Sequence, residues 1–391
     1  RALLEQVDDV VIRRVVHGTT LVANTLVERR GARAALILTR GTRDSLDIRR
    51  ELRYDIYDLN ANYPDALVPV EDRYELSART GPAAQEWRPL DETELRTVVE
   101  SLRSRAYDAV AVCLLHAPVD ARHERAVEDV LKRALPSVPI SISSEVAREI
   151  GEYERMSTTA ANAYVQPMVA DYLQALHERL AGQRVGATLD VMLSNGAFTT
   201  ADLAAKAPIR ILESGPAGGV LSAVNCGAVE GRDKVLAFDM GGTTAKACVA
   251  VEARPAITHV FEFGRIQRFK RGSGLPAVVP SIDLIEIGAG GGSLANVNAL
   301  GLLQVGPQSA GSESGPACYG RGGEQATVTD ADLVLGYLDG DKFLGGRMSL
   351  DIARARAALQ EVGAPLGLDV EQTAWGIHDI VNENMASAAR T

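Results

Sequence analysis

Apolar positions along the chain follow two rhythms. The short runs at 12–16 and Ala34–Thr39 predict strands, and the continuous apolar run at 109–115 predicts a buried one. Apolar residues spaced by three and four predict helices over Glu92–Arg105 and 122–135, with another short strand at 139–143. This alternation is the pattern of an α/β lobe built on a largely parallel sheet. Between these elements, 54–90 is richer in Pro, Asp and Tyr and reads as an irregular excursion. A long helical pattern covers 152–180, followed by a strand at 188–194 and an Asn195-Gly196 turn. Ser214 to Gly219 opens another helix, with Pro216 in its first turn. Strands are predicted at 235–238, ending at Asp239, and at Ala245–Val251. A basic stretch (Arg265, Arg268, Lys270, Arg271) comes next and reads as a solvated surface or a partner contact. Two glycine-rich regions, 288–293 and 311–323, precede a helical end.

Length changes this picture by requiring two lobes. A chain of 391 residues exceeds what one core organises, and the expected division is 1–141 and 142–391. The formal charge of −10 is spread without a Lys/Arg cluster, which excludes a nucleic-acid face but not a phosphate site made of backbone N–H groups. No apolar stretch reaches membrane-spanning length and no signal-peptide pattern occurs, so neither a membrane nor export is expected. Cys113, Cys226, Cys248 and Cys318 are far apart and form no CxxC pair. A reducing, cytoplasmic setting is the expectation. The chain starts at Arg1, opens on an amphipathic stretch at 1–7, and stops in a helical pattern; both ends read as cut.

The chemistry is concentrated in Asp239-Met240-Gly241-Gly242-Thr243-Thr244. Phosphates need close backbone approach, which glycine permits, and successive N–H groups in a tight turn form an anion nest. Hydroxyls of Thr243 and Thr244 add donors, and Asp239 suits a magnesium ion held through water. Strand–DxGGT–strand is the phosphate hairpin of actin/hexokinase/Hsp70-type ATPases; no P-loop motif occurs. The bland alternative is a plain β-hairpin. Gly288, Gly290, Gly291 and Gly292 in IGAGGGS suggest a loop where backbone meets a ligand. His17-Gly18-Thr19-Thr20 leads into a helix, so either Thr also reads as an N-cap and His17 as a hydrogen-bonded structural residue. Cys318, in Ser314 to Gly320, reads as buried and inert, and Asp330 and Asp332 as ligands or, more simply, helix-capping charges.

These strings resemble one family as an ordered set. HGTTLVANTLVERRGA, SNGAFTT, ESGPAGGV, FDMGGTTAK, IDLIEIGAGGGSLA, VGPQSAGSESGPACYGRGG, TVTDADLVLGYLD and FLGGRM follow the order seen in hydantoinase A/oxoprolinase proteins, over essentially the whole chain. The resemblance implies an actin-like (hexokinase/Hsp70-type) two-lobed α/β ATPase fold, using ATP and Mg2+. It implies ATP-driven opening of a cyclic amide such as a hydantoin, oxoproline or lactam, or, in some relatives, carboxylation of a ketone. It also implies a hydantoinase B-type partner subunit and an oligomer. Asp239 and His17 are then the expected catalytic residues and Asp239 the metal ligand. Gly241, Gly242, Thr243, Thr244, Lys246, Gly288, Gly290, Gly291, Gly292, Thr19 and Thr20 are the expected nucleotide contacts.

The sequence departs from the family in places. The family's first DxGGTxxD-type hairpin and its C-terminal glycine motif are absent, and a chain lacking them is expected to hold ATP poorly. Ala245-Lys246 stands where many relatives carry an Asp after the turn, so no metal-ligand role is carried over there. Lys246 itself reads as either a phosphate-neutralising cation or an ordinary strand residue. Other classes compete: a small-molecule kinase of the same superfold would need no partner, and a binding module would show no turnover. IGAGGGS and SGPACYG weigh against the kinase.

Overall fold

The strands Ala34–Thr39 and Ala109–Cys113 are buried at every position and form the centre of a four-stranded sheet. Its order places Arg73–Leu76 on one edge and Ile140–Ile142 on the other, all paired in parallel. The helices Glu92–Arg105 and Arg122–Ala134 cover one face through Leu95, Val98, Leu102, Val127 and Leu131. In this computed structural model, residues 12–182, 188–267 and 270–390 are described. Arg268 and the 1–7 stretch lie outside them.

The chain divides into two compact units: Arg1–Leu221 with Ile257–Ile282, and Ser222–Ala256 with Asp283–Thr391. The spine of the first is the 31-residue helix Glu152–Gly182. Its residues Ala161, Val165, Val169 and Leu173 recur every four positions and join Val22, Leu26, Ile209, Ala277 and Val279 in one core. Met156, Ala160 and Ala163 turn to a second core with Leu36, Leu38 and Ala111. Apolar residues thus line two sides of the helix, and the buried polar residues Thr158, Asn162 and Gln166 are satisfied by hydrogen bonds. Beside it, Arg14–His17 pairs in parallel with Thr188–Met192, which pairs antiparallel with Phe198–Thr200.

The hairpin Ile257–Phe263/Leu275–Ile282 also belongs to the first unit, in the region read from sequence only as a basic stretch. There Lys270 pairs with Asp55, and Arg265 with Glu262. The 54–90 excursion is a second correction, because it contains the sheet strand Arg73–Leu76 and the small hairpin Arg79–Thr80/Glu86–Arg88. Charge hid the first of these strands. The Arg73 side chain is buried and forks onto Asp47 at 2.5 and 2.9 Å, with further bonds to the carbonyls of Val68 (3.0 Å) and Arg43 (2.9 Å).

In the second unit, Lys234–Met240 and Ala245–Val251 form an antiparallel hairpin, with Ile285–Ile287 and Arg254–Pro255 paired to its second strand. The first strand runs through Asp239 to Met240 rather than ending at Asp239, so Asp239 is a paired residue opposite Lys246. Ser293–Val297 and Leu303–Ser309 make a further hairpin. Val328–Val334, Ile352–Gly363 and Val370–Arg390 supply helices to a core containing Ala245, Ala247, Ile287, Leu359, Ile377 and Val381. Among the described residues, no helix is long and apolar enough to cross a membrane.

Candidate functional site

The turn Gly241–Gly242–Thr243–Thr244 joins two strands by a tight connection in which the Gly241 N–H donates to the Thr244 carbonyl at 2.9 Å. The glycine-rich loop lies directly against it. Gly291 N–H donates to the Gly241 carbonyl at 3.0 Å, and Gly292 N–H to the Gly242 carbonyl at 2.6 Å. The Gly290 N–H donates to Ser293 Oγ at 2.9 Å. A Cβ on Gly290 would sit 2.6 Å from the Gly241 oxygen, and one on Gly292 would sit 2.9 Å from the Gly242 oxygen. The close approach that Gly290 and Gly292 permit is therefore to the hairpin's own backbone, and the N–H groups of Gly291 and Gly292 are spent there. The loop is itself fixed, because Thr329 donates from both N–H and Oγ1 to the Gly291 carbonyl at 2.8 Å. Gly288 stands before it, half-buried, with its carbonyl 3.4 Å from where a Cβ on Gly306 would lie.

This arrangement sorts the polar groups of the turn. The carbonyls of Gly241 and Gly242 are consumed by the glycine loop, whereas the N–H groups of Gly242, Thr243 and Thr244 and both threonine hydroxyls make no hydrogen bond within the described residues. Gly241, Gly242 and Thr243 are exposed. A surface with its acceptors tied back and its donors open is electropositive, although it carries no charged side chain.

Flanking the turn, Asp239 lies opposite Lys246 in register, and Lys246 lies opposite Glu286 on the next strand. Residues directly opposite in antiparallel strands share a face, so a half-buried cation sits between two exposed carboxylates. Among the described residues, no group of three or more His, Cys, Asp or Glu forms a metal cage.

The HGTT segment belongs to the first unit and meets a different motif. The Thr19 N–H donates to Ser214 Oγ at 2.9 Å, and that hydroxyl donates back to the Thr19 carbonyl at 2.9 Å. Ser214 opens the helix Ser214–Val229, so ESGPAGG and HGTT form one backbone corner. A Cβ on Gly18 would lie 3.1 Å from the Ser214 oxygen, and one on Gly215 would lie 3.3 Å from Thr20 Cγ2. Thr20 occupies the N-cap position of Leu21–Glu28 without a capping hydrogen bond; Thr19 Oγ1 accepts the Leu21 N–H at 3.1 Å instead. His17 ends the strand Arg14–His17 with a ring nitrogen 2.9 Å from the Tyr172 hydroxyl. Burial lowers its pKa, which favours the neutral ring. Sequence reading missed the Ser214 and Tyr172 contacts, because neither partner is near in the chain.

Asp330 explains the SGPACYG segment. Its fully buried carboxylate accepts the N–H groups of Ala317 (3.3 Å), Cys318 (2.7 Å) and Thr327 (2.9 Å), plus Thr327 Oγ1 (2.8 Å). It also closes a capping box on Val328–Val334. Burial, and then the Asp330 carboxylate, push the Cys318 thiol up, so it is an inert structural residue. Asp332, the neighbouring acid, holds His378 Nδ1 at 2.8 Å.

Comparison with known proteins agrees with this motif order. The hydantoinase/oxoprolinase family model matches residues 155–391, and the model of the hydantoinase/oxoprolinase N-terminal region matches 2–135. The chain is 35% identical over 381 residues to the caprolactamase subunit alpha of Pseudomonas jessenii, covering 96% of this chain and 53% of that one. It is 33% identical over 417 residues to the acetophenone carboxylase gamma subunit of Aromatoleum aromaticum, covering 99% and 53%. A nucleotide-free structure of acetone carboxylase superposes with a TM-score of 0.80 at 26% identity, covering 96% of this chain and 54% of that one. The chain thus spans about half the length of these two curated relatives. With a family model aligned over more than half its residues, the chain belongs to the hydantoinase/oxoprolinase family.

Proposed function

We propose that this chain is the nucleotide-handling part of an ATP-dependent enzyme that opens a cyclic amide such as a hydantoin, oxoproline or lactam. The observation carrying this reading is the Gly241–Thr244 turn, whose acceptors are tied back by Gly291 and Gly292 and whose donors stand open. Gly242, Thr243 and Thr244 would bind phosphate oxygens, and Gly288, Gly290, Gly291 and Gly292 would hold the turn in shape beneath them. Lys246 would neutralise charge beside Asp239. Thr19 and Thr20, with His17, would serve the nucleotide or substrate from the HGTT corner. The fold reading is an actin-like two-lobed ATPase with sequence regions 1–141 and 142–391. It is supported by the strand–turn–strand hairpin and by the likeness to an ATP-dependent carboxylase structure.

Mg2+ fits this turn in one way only. Asp239 is exposed on the strand two residues before Gly241, and no protein cage surrounds it among the described residues. A single carboxylate is the usual protein share for Mg2+, with waters and phosphates completing the shell. Bound there, the ion would neutralise charge on the transferring phosphoryl group.

The chemistry follows from the weakness of an amide as an electrophile. Transfer of the terminal phosphoryl of ATP to the amide oxygen yields an imidate phosphate and ADP. Water adds at the activated carbon, the ring C–N bond breaks as nitrogen takes a proton, and a second water releases phosphate. Positioning and charge neutralisation are what such a transfer requires of a protein, and open N–H donors supply both.

A carboxylase reading stands second, favoured by the acetone and acetophenone carboxylase likenesses. A hydantoinase B-type partner is proposed for either, because relatives carry subunit names. An oligomer and a cytoplasmic location belong to the same reading. The test is phosphate release by the full-length protein with its partner across hydantoins, lactams, oxoproline, and ketones plus bicarbonate. Stimulation by one cyclic amide with ring opening supports the hydrolase. Stimulation only by a ketone with bicarbonate moves the assignment to carboxylase, a phosphorylated unopened product to kinase, and no stimulation to a binding module.

A further inference from the structure

The segments that follow the parallel strands Ala109–Cys113 and Ile140–Ile142 enclose a crevice of about 260 Å³ that no step above uses. One side comes from Val119, Arg122 and Arg125, after the first strand, and the other from Ser144 and Arg148, after the second. In open parallel sheets ligands are held at this edge, beyond the carboxyl ends of the strands. The two segments are tied together. Buried Glu124 accepts the Leu114 N–H and the Ser144 N–H, each at 2.8 Å. Buried Arg155 lies 3.9 Å from the Glu124 carboxylate and donates to the Leu114 carbonyl at 2.9 Å.

Three arginines line this crevice. Arg122 and Arg125 are three positions apart on the helix Arg122–Ala134, which makes them neighbours on its surface. Arg122 Nε donates to Asp120 Oδ2 at 2.6 Å, and Arg148 Nε donates to the Pro118 carbonyl at 3.1 Å. These anchors are two residues apart, at most about 7 Å of chain, so the Arg148 guanidinium reaches the same short segment that holds Arg122. Asp120 also accepts the Arg122 N–H at 3.0 Å; it is the one carboxylate in the lining, and it is committed to Arg122. Arg125 and Arg148 have no ion-pair partner among the described residues. The crevice therefore carries two uncompensated positive charges, and the start of the helix adds potential of the same sign. Like charges gathered at one place repel, and an anion between them relieves that repulsion.

We propose that this crevice binds a small doubly charged oxyanion of the phosphate class, held by Arg122, Arg125 and Arg148. Its volume is below the roughly 300–1,000 Å³ of pockets for drug-sized ligands, which fits a free ion or the phosphate end of a small metabolite. A guanidinium offers phosphate oxygens paired N–H donors. The site does not depend on the cyclic-amide reading, and none of its lining residues belongs to the Gly241–Thr244 turn.

The test is calorimetric titration of the full-length protein with inorganic phosphate, glycerol 3-phosphate and acetate at one ionic strength. Saturable binding of a phosphate dianion is expected, with acetate about tenfold weaker or worse. Tighter binding of glycerol 3-phosphate than of phosphate would identify a phosphorylated metabolite as the occupant, and the reverse order the free ion. Arg125→Gln should weaken the dianion about tenfold with unchanged thermal melting, because this side chain is exposed and makes no hydrogen bond among the described residues. Arg148→Gln should weaken it by a similar factor. An isotherm unchanged in both variants would assign the anion to another site, such as the Gly241–Thr244 turn, and would overturn the proposal. So would the absence of saturable binding, or acetate bound as tightly as phosphate.

Discussion

Gly290 has the least room of the glycines in the loop against the Gly241–Thr244 turn. Its missing side chain leaves space for the Gly241 oxygen, 2.6 Å from where a Cβ would lie, and that neighbour is backbone rather than a flexible side-chain end. Gly290→Ala should therefore push the turn away at a cost of about 1–3 kcal/mol, read by denaturant unfolding, and should depress ATP turnover further than the stability loss explains. Unchanged stability and turnover would show that the loop does not shape the turn. His17 gives a second residue-level expectation. Burial holds its folded pKa below the ordinary value of 6.5, so the unfolded chain takes up a proton first as pH falls. The contribution of neutral His17 to stability is fully present above pH 6.5 and is lost as pH drops from there towards the lowered folded value. Comparing wild type with His17→Gln across that window should show wild type losing more stability on acidification. Parallel curves would contradict it.

Elements were legible where a continuous apolar run or a clean period decided them. Ala34–Thr39, Glu92–Arg105 and Ala245–Val251 have the boundaries that the pattern predicts. Arg73–Leu76 was not legible, since one of its two buried residues is an arginine whose partners, Asp47 and two carbonyls, come from elsewhere in the chain. The hairpin Ile257–Phe263/Leu275–Ile282 was hidden by the basic residues between its strands. Asp330 was read correctly as a capping charge, but its larger part, gathering the N–H groups of Ala317 and Cys318, depends on a fold that sequence spacing does not reveal. Asp330→Ala should cost about 2–4 kcal/mol, because several buried donors lose their acceptor together. Thiol labelling gives a second readout. Exposed Cys226 should react in the native wild type, and Cys318 should become reactive only in the variant. A variant as stable and as unreactive as wild type would remove Asp330 from this role.

At the scale of the whole molecule, the ordered motifs resolve into structural corners. FDMGGTTAK joins IGAGGGS in one unit, while HGTT joins ESGPAGG in the other. Motif order was enough to indicate the family; it did not reveal that the second glycine string supports the first instead of presenting its own N–H groups. The discontinuous division was also invisible locally, because Ile257–Ile282 belongs with residues far before it. What the reading requires of the complete enzyme is that the open donors and Asp239 together manage phosphate charge. The decisive measurement is cyclic-amide-stimulated phosphate release by the full-length protein with its partner, comparing wild type with Asp239→Ala. Asp239 is exposed, so the variant should fold normally, and its turnover should fall by about 100-fold. An Asp239→Ala protein that releases phosphate at the wild-type rate would contradict the assignment of this hairpin as the ATP site.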